Sequence, residues 1–157
     1  MDRVTREVRS KIMSSVRTSG GTTERRMEKL LRLRGVRGYR KQWPVAGKPD
    51  FAWPQSKVAL FVDGCFWHGC PRCDRPSKSN TKFWKPKIVS NRRRDRRVSR
   101  ELRSHGWSVL RVWECRIGEE RTPARIIRAI NRVAVAGPVA PSNRRRIPGQ
   151  PGTRRSR

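Results

Sequence analysis

Acidic residues are scarce in this chain: 12 Asp and Glu stand against 40 Lys and Arg in 157 residues, a formal charge of +28. Such a surface repels itself in the compact state, so a polyanionic partner is the natural reading. Arginine far outnumbers lysine, and a guanidinium matches phosphate in a bidentate way that an ammonium does not. Codon bias explains arginine replacing lysine but not the missing acids. Long hydrophobic runs are absent as well. The longest, Val58 to Val62, falls far short of the roughly 20 residues of a membrane span. No apolar leader follows Met1-Asp2-Arg3, so a cytoplasmic protein without a membrane segment is expected. The length is that of one domain with a modest core, and no internal repeat is visible.

Cysteines are few but not scattered. All four fall in one pattern: C-x4-C-x2-C at Cys65, Cys70 and Cys73, then a distant Cys115. Under reducing conditions clustered thiols suggest a metal rather than disulfides. Four thiolates bind Zn²⁺ tetrahedrally, and a closed set of protein ligands marks a structural zinc. Such a site would staple the loop after one strand to the end of another. Unrelated buried thiols are the plainer alternative, because Cys115 is so remote in sequence.

Residues 5 to 16 suit a basic amphipathic helix, broken by Ser19-Gly20-Gly21. A second helix begins at Thr22 or Thr23, buries Met27, Leu30 and Leu31, and stops at Gly35. Tyr39 to Val45 alternates like a strand interrupted by Pro44. Short strands follow at Asp50 to Trp53 and Val58 to Val62, then a loop from Pro71 to Ser79. A long helix opens at Asn80 or Thr81 and runs to about Ser104, with Pro86 tolerated in its first turn. Its apolar stripe is Ile88, Val98 and Leu102, and Asp95 falls on that stripe among six arginines between Arg92 and Arg100. Trp107 to Trp113 reads as a strand delivering Glu114 and Cys115. A last helix from Thr122 buries Ile126, Ile127, Ile130 and Val133. The order implies an α/β fold with a mixed central sheet flanked by helices. Residues 1–20 are expected to form a basic helical arm, 21–136 the folded domain, and 137–157 a disordered basic tail.

The strand ending in Val62-Asp63-Gly64 releases Cys65, Phe66, Trp67, His68, Cys70 and Cys73 together, and strand ends are where α/β folds place their chemistry. Phosphodiester hydrolysis needs charge neutralisation, an activated water and a protonated leaving oxygen. Mg²⁺ held by carboxylates and carbonyls serves the first two. Asp50 and the Val62-Asp63 strand end are positioned to face one another across a sheet. His68 suits proton transfer, or alternatively an extra zinc ligand or a capped loop. Glu24 suits the first turn of its helix, and His105 a helix C-terminus, by dipole complementarity alone. Phe66, Trp67, Phe83 and Trp84 read either as core or as apolar wedges that unstack a duplex.

The series GKPDFAW, LFVDGCFWHGCPRC, SNTKFW, NRRRDRRVSRELRSHGW and LRVWEC resembles the very short patch repair endonucleases over roughly residues 5 to 135. The resemblance implies a restriction-endonuclease-like PD-(D/E)xK core and nicking of one strand of duplex DNA 5′ of the thymine in a T:G mismatch, left by 5-methylcytosine deamination. It implies Mg²⁺ on Asp50 and the Val62 backbone carbonyl, and His68 as general base with Asp95 orienting water or histidine. Glu24 falls on an active-site glutamate of the family. Cys65, Cys70, Cys73 and Cys115 fall on structural zinc ligands, Phe66, Trp67 and Trp84 on aromatics that wedge into DNA, and the N-terminal helix on a DNA-gripping arm. Some members carry histidine where this chain has Asp63, which would then add a direct metal ligand, and histidine at one zinc position taken here by cysteine. The superfamily's lysine is missing. A monomer acting on mismatched duplex, with other mismatch-repair proteins as further partners, is expected from the same resemblance. A nuclease with another target and a DNA-binding module without catalysis are the alternatives.

Overall fold

In the computed structural model, which describes residues 21–73 and 81–135, Thr22–Leu33 forms α1. Met27 and Leu31, one turn apart, are fully buried, as two residues on one helical face should be. Gly35 ends the helix at φ +67°. The Gly35 N–H reaches Arg32 O at 3.1 Å and the Val36 N–H reaches Leu31 O at 2.9 Å, closing a Schellman motif.

Three strands make one sheet in the order β1-β2-β3: Phe51–Trp53, Val58–Asp63 and Ser108–Trp113. β1 runs antiparallel to β2, and β3 runs parallel to it. The parallel pair needs a long crossover. It passes through α2, Cys65–His68, and then α3, Thr81–Ser104. The described residues end with a 3₁₀ turn at Glu114–Arg116 and α4 at Arg121–Val135.

As the central strand, β2 is covered on both faces, so it is a continuous apolar run rather than an alternating one. Side chains of opposite parity serve different cores. Val58 and Leu60 join Met27, Leu31, Phe51, Val112 and Ile126 against α1 and α4. Ala59 and Phe61 pack with Val98 and Leu102 of α3. Each fully buried Leu, Ile or Phe contributes about 1.5–3 kcal/mol of transfer free energy. Asp63 continues the second parity, and Arg111 pairs in register with Phe61. The face under α3 therefore changes from apolar to charged toward the ends of β2 and β3.

Three sequence expectations need correction. Tyr39 to Val45 is not a strand: only Arg40 bridges to Ala52, because Gln42 takes φ +49° and Pro44 has no N–H for a ladder. Pro86 lies beyond the first turn of α3, which starts at Thr81; its side is exposed, so water can satisfy the carbonyl left without a donor. Ile127 is 37% exposed while Ile126 is fully buried, since adjacent helical residues diverge by about 100°. The arm at 1–20, the tail at 137–157, most of the expected 71–79 loop and the Val133 side chain lie outside the described residues.

Gly47, at φ +73°, approaches α3 so closely that an added Cβ would stand 2.4 Å from Val98 Cγ1. This contact sets the path of the segment leading to Asp50. Gly47→Ala should lower unfolding free energy by about 2–3 kcal/mol, combining a left-handed backbone penalty with overpacking. Urea denaturation checks this; a loss below about 0.5 kcal/mol, the range of ordinary surface changes, would show that the loop simply moves aside.

Candidate active site and thiol cluster

Asp50 is placed by the start of β1, one residue before Phe51. Its Oδ2 accepts the Val62 N–H at 2.7 Å, which joins the turn before β1 to the end of β2. Burial raises the Asp50 pKa to about 6 despite the Val62 amide, and the nearby charges of Glu24 and Asp63 push the same way. Glu24 is itself buried on α1 and lies 3.8 Å from Lys41 Nζ. Buried carboxylates gathered around Asp50 favour a bound cation.

On the α3 side, Asp95 Oδ2 lies 2.5 Å from His68 Nδ1. Burial works to raise the Asp95 pKa, but the His68 hydrogen bond and the Arg111 charge outweigh it and hold it below the ordinary value. An ionised carboxylate only accepts, so His68 Nδ1–H donates and Nε2 is left as the proton-accepting nitrogen. Arg111 lies between two acids. It engages both oxygens of Asp63, with Nε donating at 2.7 Å, and its Nη2 is 3.1 Å from Asp95 Oδ1. Asp50, Val62, Asp63, His68, Asp95 and Arg111 all line one cleft of about 730 Å³.

The single turn α2 is too short to stand alone, and α3 holds it. Asn91 Nδ2 donates to Trp67 O at 2.9 Å, and Arg92 donates to His68 O at 3.0 Å and Gly69 O at 2.6 Å. Those bonds satisfy carbonyls at the end of α2, where Gly69 turns at φ +64°. The aromatics form an edge-to-face cluster: Phe66 and Trp67 lie 4.9 and 5.5 Å from Trp84, and Phe83 lies 5.1 Å from it. Trp84 is only 9% exposed and forms the floor, whereas Phe83 is 53% exposed at the cleft wall.

The four thiols converge behind this site, where Cys65 N–H donates to Glu114 Oε2 at 3.3 Å. All four Sγ atoms lie within 4.8 Å of one another, and Cys70 and Cys115 are 3.8 Å apart. A tetrahedral Zn–S length of ~2.3 Å puts sulfurs about 3.8 Å apart, whereas a disulfide brings them to about 2.05 Å. The donor set fits a four-coordinate thiophilic cation. Burial raises the Cys65 thiol to about 12. Burial acts the same way on Cys70, but the Cys73 and Arg72 amides and its thiol neighbours bring it down to about 7.

The structure thus gathers Asp50, Asp63, His68 and Asp95 at one cleft with Glu24 buried close by, and the four cysteines at a second centre. His105 stays apart, its Nδ1 donating to Glu101 O at 2.8 Å, as a helix C-terminus allows. Sequence reasoning missed Arg111. The available signal was a lone cation inside the apolar run from Val109 to Trp113. Also missed were Asn91 and Arg92 as supports for α2.

Asp50→Asn keeps an acceptor for the Val62 amide but removes the buried charge. An acid whose folded pKa is raised destabilises the fold above that pKa, and this cost disappears as pH falls below the unfolded value. Without added divalent cation, Asp50→Asn should therefore be more stable than the parent at pH 8, by about 3 kcal/mol. The gain should fade between pH 6 and 4 as the parent carboxyl protonates. Thermal unfolding across that range checks it, and a less stable variant at pH 8 would refute the reading of Asp50 as a costly charge.

Comparison with known proteins assigns the family. Residues 1–75 match the family model described as DNA mismatch endonuclease Vsr. The type II nicking enzyme V.NmeDIP of Neisseria meningitidis serogroup C is 43% identical over 115 residues, covering 72% of this chain and 78% of that protein. V.NaeI of Lentzea aerocolonigenes, also a type II nicking enzyme, is 43% identical over 112 residues, covering 68% of this chain and 67% of its own. The DNA mismatch endonuclease Vsr of Escherichia coli K12 is 37% identical over 116 residues, 72% of this chain and 74% of its own. Among solved structures, the catalytic domain of the homing endonuclease I-Bth0305I gives a TM-score of 0.48 at 21% identity, covering 73% of this chain and 98% of that one. The match to the family model and the curated relatives at 37–43% identity place the chain in the Vsr family of DNA mismatch endonucleases.

Proposed function

We propose that this protein nicks one strand of duplex DNA 5′ of the thymine in a T:G mismatch and so begins very short patch repair. The observation that carries the reading is the shared cleft: Asp50 and the His68–Asp95 pair open on the space that the aromatic cluster walls. A pure binding module has no use for that set. The E. coli relative's name states mismatch cleavage, and the nicking relatives' names state single-strand cutting. A restriction-endonuclease-like core, a bacterial cytoplasmic setting and action as a monomer belong to the same proposal.

Asp50 and the Val62 carbonyl would hold Mg²⁺, whose chemistry is to neutralise phosphate charge and acidify a water. His68 Nε2 takes the proton from the attacking water as its oxygen adds to phosphorus; the bridging P–O bond breaks, and the leaving oxygen takes a proton from solvent. Asp95 keeps the imidazole in the tautomer with Nε2 free and stabilises the imidazolium that forms, the role a carboxylate plays behind a histidine base. Glu24 adds negative charge beside Asp50. Phe66 and Trp67, braced by Trp84, would enter between base steps next to the mismatch, at a cost of a few kcal/mol of unstacking per step. Arginines along α3 supply backbone affinity that reads no sequence. In the thiol cluster, Zn²⁺ on Cys65, Cys70, Cys73 and Cys115 would be structural, with no open position for water.

Duplexes carrying one T:G pair should be nicked only on the thymine strand and only with Mg²⁺, while matched and A:C duplexes stay intact. Asp50→Ala should abolish cutting and leave binding. Equal cutting of matched duplex would instead indicate a nuclease with another target. For the thiols, purified protein should contain about one equivalent of zinc by elemental analysis. Cys115→Ala should lose it and fold poorly; native protein that is folded and zinc-free would remove that assignment.

A further inference from the structure

His68 Nδ1 has two carboxylates within reach: Asp95 Oδ2 at 2.5 Å and Asp63 Oδ1 at 3.8 Å. Only one can orient the imidazole for proton transfer. Asp63 sits at the end of β2, buried, on the parity that faces α3. Left alone it would compete with Asp95 for the same N–H, and two like charges so close to one another would repel. Arg111 resolves both problems. Its fork engages both Asp63 oxygens, and the same Nη2 reaches the Asp95 oxygen that His68 does not use. The guanidinium is itself fixed, with its carbon 5.0 Å from the centroid of the Phe61 ring, its register partner on β2. Planar, bidentate recognition of this kind is a property of arginine that lysine does not share.

We propose that Arg111 is a positioning residue. It holds Asp63 away from His68 and anchors Asp95, so that the imidazole keeps one tautomer and one orientation with Nε2 toward the cleft. The inference rests on His68 and Asp95 as the proton-handling pair. Its distinctive content is that Asp63 is a restrained competitor, so losing Arg111 is harmful mainly because Asp63 becomes free. Removing Asp63 as well should therefore repair part of the damage.

The test compares the parent with Arg111→Met, Arg111→Lys and the double variant Asp63→Asn/Arg111→Met, all zinc-loaded. Long-range ¹H–¹⁵N spectra at pH 8 report the His68 tautomer directly, and a His105→Gln background assigns the signals. The parent should show a protonated Nδ1 and an unprotonated Nε2. Arg111→Met should mix the tautomers and reduce single-turnover nicking about 10–100-fold, the range for outer residues that orient a reacting group. Affinity for the mismatched duplex should stay close to the parent's, whereas the melting temperature falls because Asp63 and Asp95 lose their shared cation; rates are compared below the lowest melting temperature. Arg111→Lys should show the same spectral change in smaller degree, and it decides the matter if Arg111→Met does not fold. The double variant should recover at least several-fold of the lost rate. An unchanged His68 spectrum in the folded Arg111 variants, or a double variant no faster than Arg111→Met, overturns the proposal. If His68→Ala nicks at the parent rate, the assignment of the proton-handling pair fails instead, and the spectra still report what Arg111 does.

Discussion

The parallel pairing of β2 with β3 is the constraint on which both chemical centres depend. Its register sets Val58 against Ser108 and Asp63 against Trp113, so the two strands end level. Beyond that end, one strand releases Cys65 and the other Glu114 and Cys115, which explains how residues 50 positions apart in sequence share one thiol cluster. The same register puts Arg111 beside Phe61 and within reach of Asp63. A slip of one residue would turn Arg111 to the opposite face, into the core formed by Leu60, Val112 and Ile126. One ladder of backbone hydrogen bonds therefore fixes a cation, an acid and a clustered thiol together.

The two faces of the sheet divide the labour. Against α1 and α4 the packing is almost wholly apolar, and that face carries most of the burial. Against α3 the apolar patch is small and gives way to Asp63, Arg111, Asp95 and His68. Carboxylates crowded near Asp50 are unfavourable for the protein by itself and favourable only with a cation present. Functional sites commonly depart from the packing rules obeyed elsewhere in the same fold. Here the departure is confined to one end of one face, where α3 clamps α2 through Asn91 and Arg92.

Much of this was legible in the sequence because local patterns were strong. Periodicity and stop signals placed α1, α3 and α4 and the strands β1, β2 and β3 to within a residue or two. The spacing of four cysteines found their cluster, and Asp95 stood out as an acid on an apolar helix stripe. Tyr39 to Val45 misled because alternation is only half of a strand signal, and the left-handed turn at Gln42 overrides it. Arg111 was hidden for a different reason. Its partner Asp63 is 48 residues away, so the local pattern shows a lone cation in an apolar run but not what it pairs with. The depth of Trp84 was equally invisible, since an aromatic pair at a helix start does not show which ring lies underneath.

Trp67 and Trp84 meet edge to face at 5.5 Å between ring centroids, with Phe66 against both. Two indoles at that separation and angle couple their electronic transitions, so the cleft wall carries its own chiroptical signature in the near ultraviolet. Any shift of Trp67 relative to the buried Trp84 must alter that signal. The protein thus has an intrinsic spectroscopic gauge of how the aromatic cluster is packed, distinct from any readout of strand scission.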